Sequence, residues 1–419
     1  MELKQRFSIE RSKIAGIPVS EIAAKFQSPC YVYDAALIRE RISQLRQFDV
    51  IRYAQKANSN LSILRLMREE GVVVDAVSVG EVVRAKNAGY ELEASKHEVV
   101  YTADIFDRES LSTVVDEQMH VNAGSTDMIR QFGARASGRE ITLRINPGFG
   151  HGHSQKTNTG GASSKHGIWH AEIDEAIAMA SDYDLKITGL HMHIGSGADF
   201  EHLSSVCEAM EKAALTVGAT ISTISAGGGL PTPYREGDQG LDIDRYFQLW
   251  DETRKRLEQE FGNEIRLEIE PGRFLVAECG YLVTEIRAIK KMGDNLFYLV
   301  DAGFNNLARP ILYGAYHPMS IAFAGKGSAE TADVIIGGPL CESGDIFTQE
   351  EGGFVSKRNL PVAGVGDFLV IECAGAYGYV MASNYNSKPL VAEALIENGQ
   401  AHCIRKRQTY EQMLASEII

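Results

Sequence analysis

The sequence predicts an α/β protein in which a (β/α)8, TIM-type barrel is followed by a smaller domain of antiparallel β-structure. Three observations carry the prediction. Short apolar runs rich in β-branched residues alternate with amphipathic stretches through the first two-thirds of the 419-residue chain. There are eight such runs, the number that closes a parallel barrel of typically about 250 residues. After about residue 275 the helical periods give way to apolar alternation and glycine-rich turns. The expected division is a barrel over 31–275 and a β-rich domain over 276–419, with 1–30 packing on the latter.

In chain order the barrel runs are IRYAQKA (51–57), VVVDAVS (72–78), VVYTAD (99–104), HVNAGS (120–125), ITLRINP (141–147), ITGLHMHIG (187–195), ISTISAGGG (221–229) and RLEIEPGR (266–273). Between them, SNLSILRLMREEG, GEVVRAKNAGY, SKHGIWHAEIDEAIAMASDY and FEHLSSVCEAMEKAALTVG repeat apolar residues at three- and four-residue spacing, as an amphipathic helix requires. CYVYD (30–34) precedes the barrel and is expected to pair with the C-terminal sheet. YLVTEIRAIKKMG, NLFYLVDAG, ADVIIGGPL and DFLVIECAG supply that sheet, and the irregular stretch from Ala315 to Thr331 predicts no element. No internal repeat or low-complexity linker interrupts the chain.

A hydrophobic content of 44% and a charged content of 23% are those of a globular protein. A net charge of −14 disfavours nucleic acid and anionic membrane surfaces, which both attract basic patches. No run approaches the roughly 20 consecutive apolar residues of a membrane span. The charged opening MELKQRFSIERSKIAG lacks the apolar core of a signal peptide, so a cytoplasmic protein is expected. Cys30, Cys207, Cys279, Cys341, Cys373 and Cys403 form no CxxC pair and match no zinc spacing. Five of them read as small apolar fillers in a reduced protein, with Cys341 set apart.

Barrel function sits on the loops after the strands, so residues at the carboxyl ends matter most. In VIRYAQKANS, strand alternation puts Ile51, Tyr53 and Gln55 on one face and Arg52, Ala54 and Lys56 on the other. Lys56 at that strand end is either an ordinary lysine reaching solvent or a Schiff-base lysine holding a carbonyl cofactor such as pyridoxal phosphate. HMHIGSG (191–197) ends the sixth strand, with His191 and His193 on one face. They read as satisfied core imidazoles, or as supplying a ring that packs flat on an aromatic cofactor. No third ligand has defined spacing, so no metal is expected.

AGGGL (226–230) ends the seventh strand; its bare amides, with a helix expected after the loop, suit a phosphate. EPGR (270–273) ends the eighth. Glu270 there either pairs with Arg273 or hydrogen-bonds a pyridine nitrogen and keeps it protonated. Amine, imidazole, glycine cradle and carboxylate all fall at strand ends, and that coincidence discriminates better than any member. In the second domain, Arg309 and Tyr313 lie four apart in ARPILYGAYH, Cys341 and Glu342 in GPLCESGDIF, and Tyr377 in AGAYGYVMASNYNS. The loop FGHGHSQKTNTGGASSKHG (149–167) is long enough for a lid.

With YAQKANSN, HMHIGSG, AGGGL, EPGRFLV, RPILYG, GPLCESGD and GAYGYVMASNYNS in this order, essentially the whole chain resembles the diaminopimelate decarboxylase family. That family belongs to the alanine racemase-like (fold type III) pyridoxal-phosphate decarboxylases. The resemblance implies decarboxylation of meso-2,6-diaminopimelate to L-lysine and carbon dioxide, the last step of lysine biosynthesis. It implies that Lys56 carries the pyridoxal phosphate, that His193 stacks on its ring with Ser196 nearby, and that Glu270 pairs with the ring nitrogen. Gly227, Gly228, Gly229, Gly272, Arg273 and Tyr377 are implied around the cofactor. Arg273, Arg309, Tyr313, Glu342 and Tyr377 are implied around the substrate, and Cys341 as proton donor. A homodimer whose active site takes Cys341 and Glu342 from the partner is also implied.

The roles that the resemblance implies also bear on the substrate. The second amino-acid centre of diaminopimelate stays zwitterionic, so an arginine can grip its carboxylate and Glu342 its ammonium. Ornithine lacks that carboxylate and would leave Arg309 idle. The alternatives are the same chemistry on ornithine, arginine or a carboxylated siderophore precursor, a racemase, or a non-catalytic cofactor-binding relative. A racemase of this class uses a tyrosine where GPLCESGD supplies a cysteine, and a silent relative would be expected to have lost Lys56 or Cys341.

Overall fold

The computed structural model describes residues 7–150, 160–193 and 200–418. By contact the chain divides into two compact units. One is Glu40–Pro231 with Gln239–Leu275. The other comprises the chain up to Arg39, Thr232–Asp238, and everything from Val276 onward.

With strands numbered along the chain, β1 (Cys30–Asp34) belongs to the second unit. The first unit is a closed parallel barrel of β2 (Val50–Ala54), β3 (Val73–Ala76), β4 (Val99–Ala103), β5 (His120–Ala123), β6 (Glu140–Asn146), β7 (Lys186–His191), β8 (Thr223–Ser225) and β9 (Arg266–Ile269). Closure comes where Ile269 of β9 lies opposite Ile51 of β2. Helices between the strands start where the sequence offers a cap. Asn60, Ser78, Asp107, Ser125 and Asp242 each accept a first-turn amide from the side chain, which satisfies a donor the helix leaves orphaned.

One sequence expectation changes here. The stretch SKHGIWHAE is not α-helical: Ile168–Trp169 adds a short parallel strand beside β6, His170–Glu172 form a 3-10 turn, and the α-helix starts at Ile173. The helix expected after the loop that follows the glycine run begins at Ile243.

The barrel interior is not uniformly apolar. Arg52 of β2 and Glu268 of β9 are both buried and meet in a two-pronged ion pair at 3.1 and 3.2 Å. Removing one partner of a buried pair leaves an uncompensated charge, a lesion of about 3–5 kcal/mol. Glu268→Ala is therefore expected to lower the thermal unfolding midpoint clearly. Glu397→Ala, which breaks a half-exposed pair with Arg39, is expected to leave it nearly unchanged. Equal midpoints for the two variants would contradict the assignment.

The second unit is a twisted sheet organised on the long strand β10 (Gly280–Met292). It pairs antiparallel with β1, with β11 (Asn295–Val300), and with β15 (Phe368–Ile371). The remaining strands are β12 (Met319–Ala322), β13 (Thr331–Gly337), β14 (Arg358–Pro361), β16 (Ala392–Glu397) and β17 (Gln400–Arg405). Most pairings are antiparallel; β11 with β13 and β1 with β16 run parallel. CYVYD thus joins this sheet as expected, and β12 lies in the stretch from which no element was read. Ile14, Val19, Ile22 and Phe26 pack with Val32, Val283, Val370 and Ile396 in this unit's core.

Cys30, Cys207, Cys279 and Cys373 are buried fillers, but Cys403 is exposed, because outward positions of the edge strand β17 carry it. Among the described residues no helix is long and apolar enough to cross a membrane.

Candidate active site

The barrel unit presents its chemistry where the strands end. β2 stops at Ala54, and Gln55–Ala57 form a single 3-10 turn, so strand alternation does not extend to Lys56 as the sequence suggested. The turn buries Gln55 and Ala57 and turns Lys56 outward, exposed. Tyr53, fully buried, donates its hydroxyl to the carbonyl of Asn58 at 2.9 Å and fixes the turn's exit.

Glu270, which follows β9, is 5% exposed and heavily engaged. His191 Nε2 donates to its Oε2 at 2.6 Å, and Ser225 donates its hydroxyl to Oε1 at 3.2 Å. Burial alone would raise this carboxyl. The hydrogen-bonded His191 and the Arg52 guanidinium outweigh burial and hold it below the usual carboxylate range, so it is ionised. Arg273 opens the short helix Arg273–Val276.

His193 lies two residues beyond His191, and Gly228 donates its amide to His193 Nδ1 at 2.8 Å. Burial first, and then the positive charges of Lys56 and Arg144, push this imidazole well below its ordinary pKa. The ring is neutral, with its proton on Nε2. The glycines allow this closeness. A Cβ on Gly227 would stand 2.2 Å from the Met192 carbonyl, and one on Gly228 2.5 Å from the Glu270 carbonyl. Gly229 continues the bare run, and Gly272 approaches Ala54 and Ala57 of the lysine turn.

Asp75, at the end of β3, was not singled out from the sequence. It is buried, and its Oδ1 has no hydrogen-bond partner among the described residues. Burial and the charge of Glu270 push its carboxyl upward, with Thr102, Lys56 and His191 pulling the other way. Arg52, Asp75, Arg144 and Glu268 all interrupt apolar strand runs, where a parallel barrel ordinarily places Val, Ile and Leu. That interruption was a usable signal.

The β-rich unit carries the remaining residues. Arg309 opens the helix Arg309–Tyr313, which Gly314 ends in a left-handed turn, with Tyr313 half-buried. The Arg309 guanidinium lies over the Tyr234 ring at 5.0 Å, and its Nη1 donates to His317 Nε2 at 2.9 Å. Cys341 is exposed, and its amide donates to the Asn386 side-chain oxygen at 2.8 Å. Glu342 accepts the Tyr385 hydroxyl at 3.5 Å.

Asp345, a further residue missed, shapes that loop. Its carboxylate accepts the amides of Phe304 and Leu340, both at 2.8 Å, and its carbonyl accepts the Gly338 amide. Tyr377 stands half-buried at φ 56°, a strained backbone for a residue with a side chain. Ser196 and residues 151–159 of the 149–167 loop lie outside the described residues. The loop's later part is held at its base, where Asn146 accepts the amides of Gly148 and Gly161, and Asp104 bonds His166 and the Gly167 amide.

Residues 35–277 match the family described as pyridoxal-dependent decarboxylase, pyridoxal binding domain. The chain is 51% identical over 401 residues to diaminopimelate decarboxylase of Escherichia coli K12, covering 95% of this chain and 96% of that one. It is 52% identical over 417 residues to diaminopimelate decarboxylase of Streptomyces coelicolor, covering 98% and 95%. A crystal structure of a diaminopimelate decarboxylase aligns with a TM-score of 0.91 at 51% identity, covering 94% of each chain.

Proposed function

The chain belongs to the diaminopimelate decarboxylases, pyridoxal-phosphate enzymes that convert meso-2,6-diaminopimelate to L-lysine and carbon dioxide as the last step of lysine biosynthesis, and from that premise we propose how its own residues divide the work. The barrel, Glu40–Pro231 with Gln239–Leu275 rather than the expected 31–275, binds the cofactor, and the β-rich unit supplies substrate-binding residues and the proton donor. The barrel residues fit a pyridoxal ring. An exposed amine, a neutral imidazole held edge-on by a glycine amide, and a buried ionised carboxylate all stand at strand ends. When bound, pyridoxal phosphate supplies a conjugated system that takes up the electron pair left as the carboxylate departs.

Lys56 would hold the cofactor through Nζ, an amine able to bond a carbonyl carbon. His193 would stack on its ring, with Ser196 nearby. Gly227, Gly228, Gly229, Gly272, Arg273 and Tyr377 would line the rest of the cofactor. Glu270 would keep a proton on the ring nitrogen, and the observation that carries this reading is its carboxylate buried inside the barrel and oriented by His191 and Ser225. Arg309, Tyr313 and Arg273 bind the substrate's distal carboxylate, with Tyr377 alongside, and Glu342 binds its ammonium. Cys341 returns a proton from Sγ to the α-carbon.

The test is carbon dioxide release by purified protein with pyridoxal phosphate, offered diaminopimelate, ornithine, arginine and lysine separately. Release from diaminopimelate alone, with L-lysine as product, is expected. Release from ornithine or arginine at comparable rates would overturn the role given to Arg309.

The enzyme works as a homodimer, with Cys341 and Glu342 reaching the partner's barrel. The exposure of Cys341, and of Ile311, Leu312 and Tyr385 in the same unit, supports this. Mixing inactive Lys56→Ala and Cys341→Ala chains is then expected to restore about a quarter of wild-type activity. Half of the randomly formed dimers are mixed, and each has one intact site of two. No recovery after subunit exchange would place both residues of a site in one chain. Free cysteines throughout and the acidic net charge support a cytoplasmic location.

A further inference from the structure

We propose that His317 is a positioning residue for Arg309, and through it a determinant of how tightly the substrate's distal carboxylate is held. The inference rests on the role given to Arg309 above. His317 ends the motif ARPILYGAYH, in which sequence reasoning assigned only Arg309 and Tyr313.

The hydrogen bonds leave one arrangement. His317 is 0% exposed. Its Nδ1 lies 3.0 Å from the backbone carbonyl of Glu372, and a carbonyl only accepts, so Nδ1 carries the proton. Arg309 Nη1 lies 2.9 Å from Nε2, and a guanidinium only donates, so Nε2 offers its lone pair. The imidazole is therefore neutral and in a single tautomer. Its donor end is anchored on the backbone and its acceptor end on the cation.

The anchor is itself rigid. The Glu372 amide donates to the Pro318 carbonyl at 2.9 Å, closing the backbone around His317. The Glu372 carboxylate takes two bonds from Arg11, at 2.8 and 2.9 Å, and one from Ser320 at 2.8 Å. Tyr234 closes the other side: its ring meets His317 edge-on at 5.6 Å and lies under the Arg309 guanidinium. A long flexible side chain is thus held from two directions before any ligand arrives. Such pre-organisation lowers the ordering cost of each hydrogen bond it makes to a carboxylate.

Two replacements separate positioning from mere folding. The amide nitrogen of asparagine falls near Nδ1 and can still bond the Glu372 carbonyl, but the side chain is too short to reach Arg309. The amide oxygen of glutamine falls near Nε2 and can still accept from Arg309. His317→Asn is expected to raise KM for diaminopimelate roughly tenfold or more, the usual scale for a lost bond to a charged group, with kcat little changed. His317→Gln is expected to keep KM near wild type. Product inhibition sharpens the test. The inhibition constant of L-lysine, which retains the distal carboxylate, rises with KM in His317→Asn, whereas that of 1,5-diaminopentane, which lacks it, stays put.

Melting curves and the visible absorbance of bound cofactor show that each variant is folded and loaded. Equal KM values for the Asn and Gln variants would overturn the proposal, as would parallel losses for L-lysine and 1,5-diaminopentane. Arg309→Gln is measured beside them. If it raises KM while His317→Asn does not, His317 has no positioning role. If Arg309→Gln leaves KM unchanged, the reading of Arg309 fails and this inference fails with it.

Discussion

Lys56→Ala is expected to abolish turnover of diaminopimelate, lowering kcat by on the order of 10⁴-fold, the upper range for loss of a positioned proton-transfer group. The same variant is expected to lose the visible absorbance of lysine-bound pyridoxal phosphate. The physical basis is local. A 3-10 turn after β2 aims Lys56 outward, while its neighbours in the turn stay buried. The charge of Lys56 is felt by Asp75 and by Glu81, whose carboxyl burial pushes up to about 7. Lys56→Arg keeps the positive charge but offers no amine able to bond a carbonyl carbon. It is expected to be as inactive as the alanine variant. If arginine instead restored substantial activity, the role of position 56 would be electrostatic rather than covalent, and the central assignment would fall.

Cys341→Ala should behave differently: cofactor absorbance retained, kcat reduced by roughly 10²–10³-fold as for a lost general acid. Proton delivery from a fixed sulfur reaches one face of the α-carbon. Turnover in deuterium oxide by the wild-type protein is therefore expected to label a single position on the product. In the alanine variant water replaces the thiol, and the label is expected on both faces. Unchanged turnover with single-face labelling would move proton donation to another group. The loop carrying Cys341 is held independently of the sulfur, by the Asp345 carboxylate on the amides of Phe304 and Leu340 and by Asn386 on the Cys341 amide. Truncating the thiol should not disturb the loop, so a lost rate can be read as lost chemistry.

The barrel was legible because its signals are local. Each strand run and each capping residue, from Asn60 to Asp242, acts within a few residues of itself, and eight repetitions average out errors at single boundaries. Lys56, His193, the glycine run and Glu270 were legible for a related reason. They sit at strand ends, where short motifs carry them whole. The errors came where neighbours distant in sequence decide conformation. Lys56 was read as a strand residue because alternation takes no account of the 3-10 turn, whose closeness to Gly272 a small residue permits. β12 was missed because MSIA becomes a strand through pairing with β15 and with the chain around Glu10, both distant in sequence.

By itself, then, the sequence determined the fold class and the cofactor chemistry, and it named the groups that we propose contact cofactor and substrate. What only the tertiary structure decided was the state of those groups. Glu270 is ionised inside the barrel because His191, Ser225 and Arg52 converge on it from three other strands. His193 is neutral because burial and the nearby charges of Lys56 and Arg144 disfavour its cation, and the Gly228 amide meets its Nδ1. Arg309 is held still because His317 reaches it from a carbonyl 55 residues further along the chain. Charge state and orientation are set by electrostatics and hydrogen bonds that act through space, and no spacing along the chain records them.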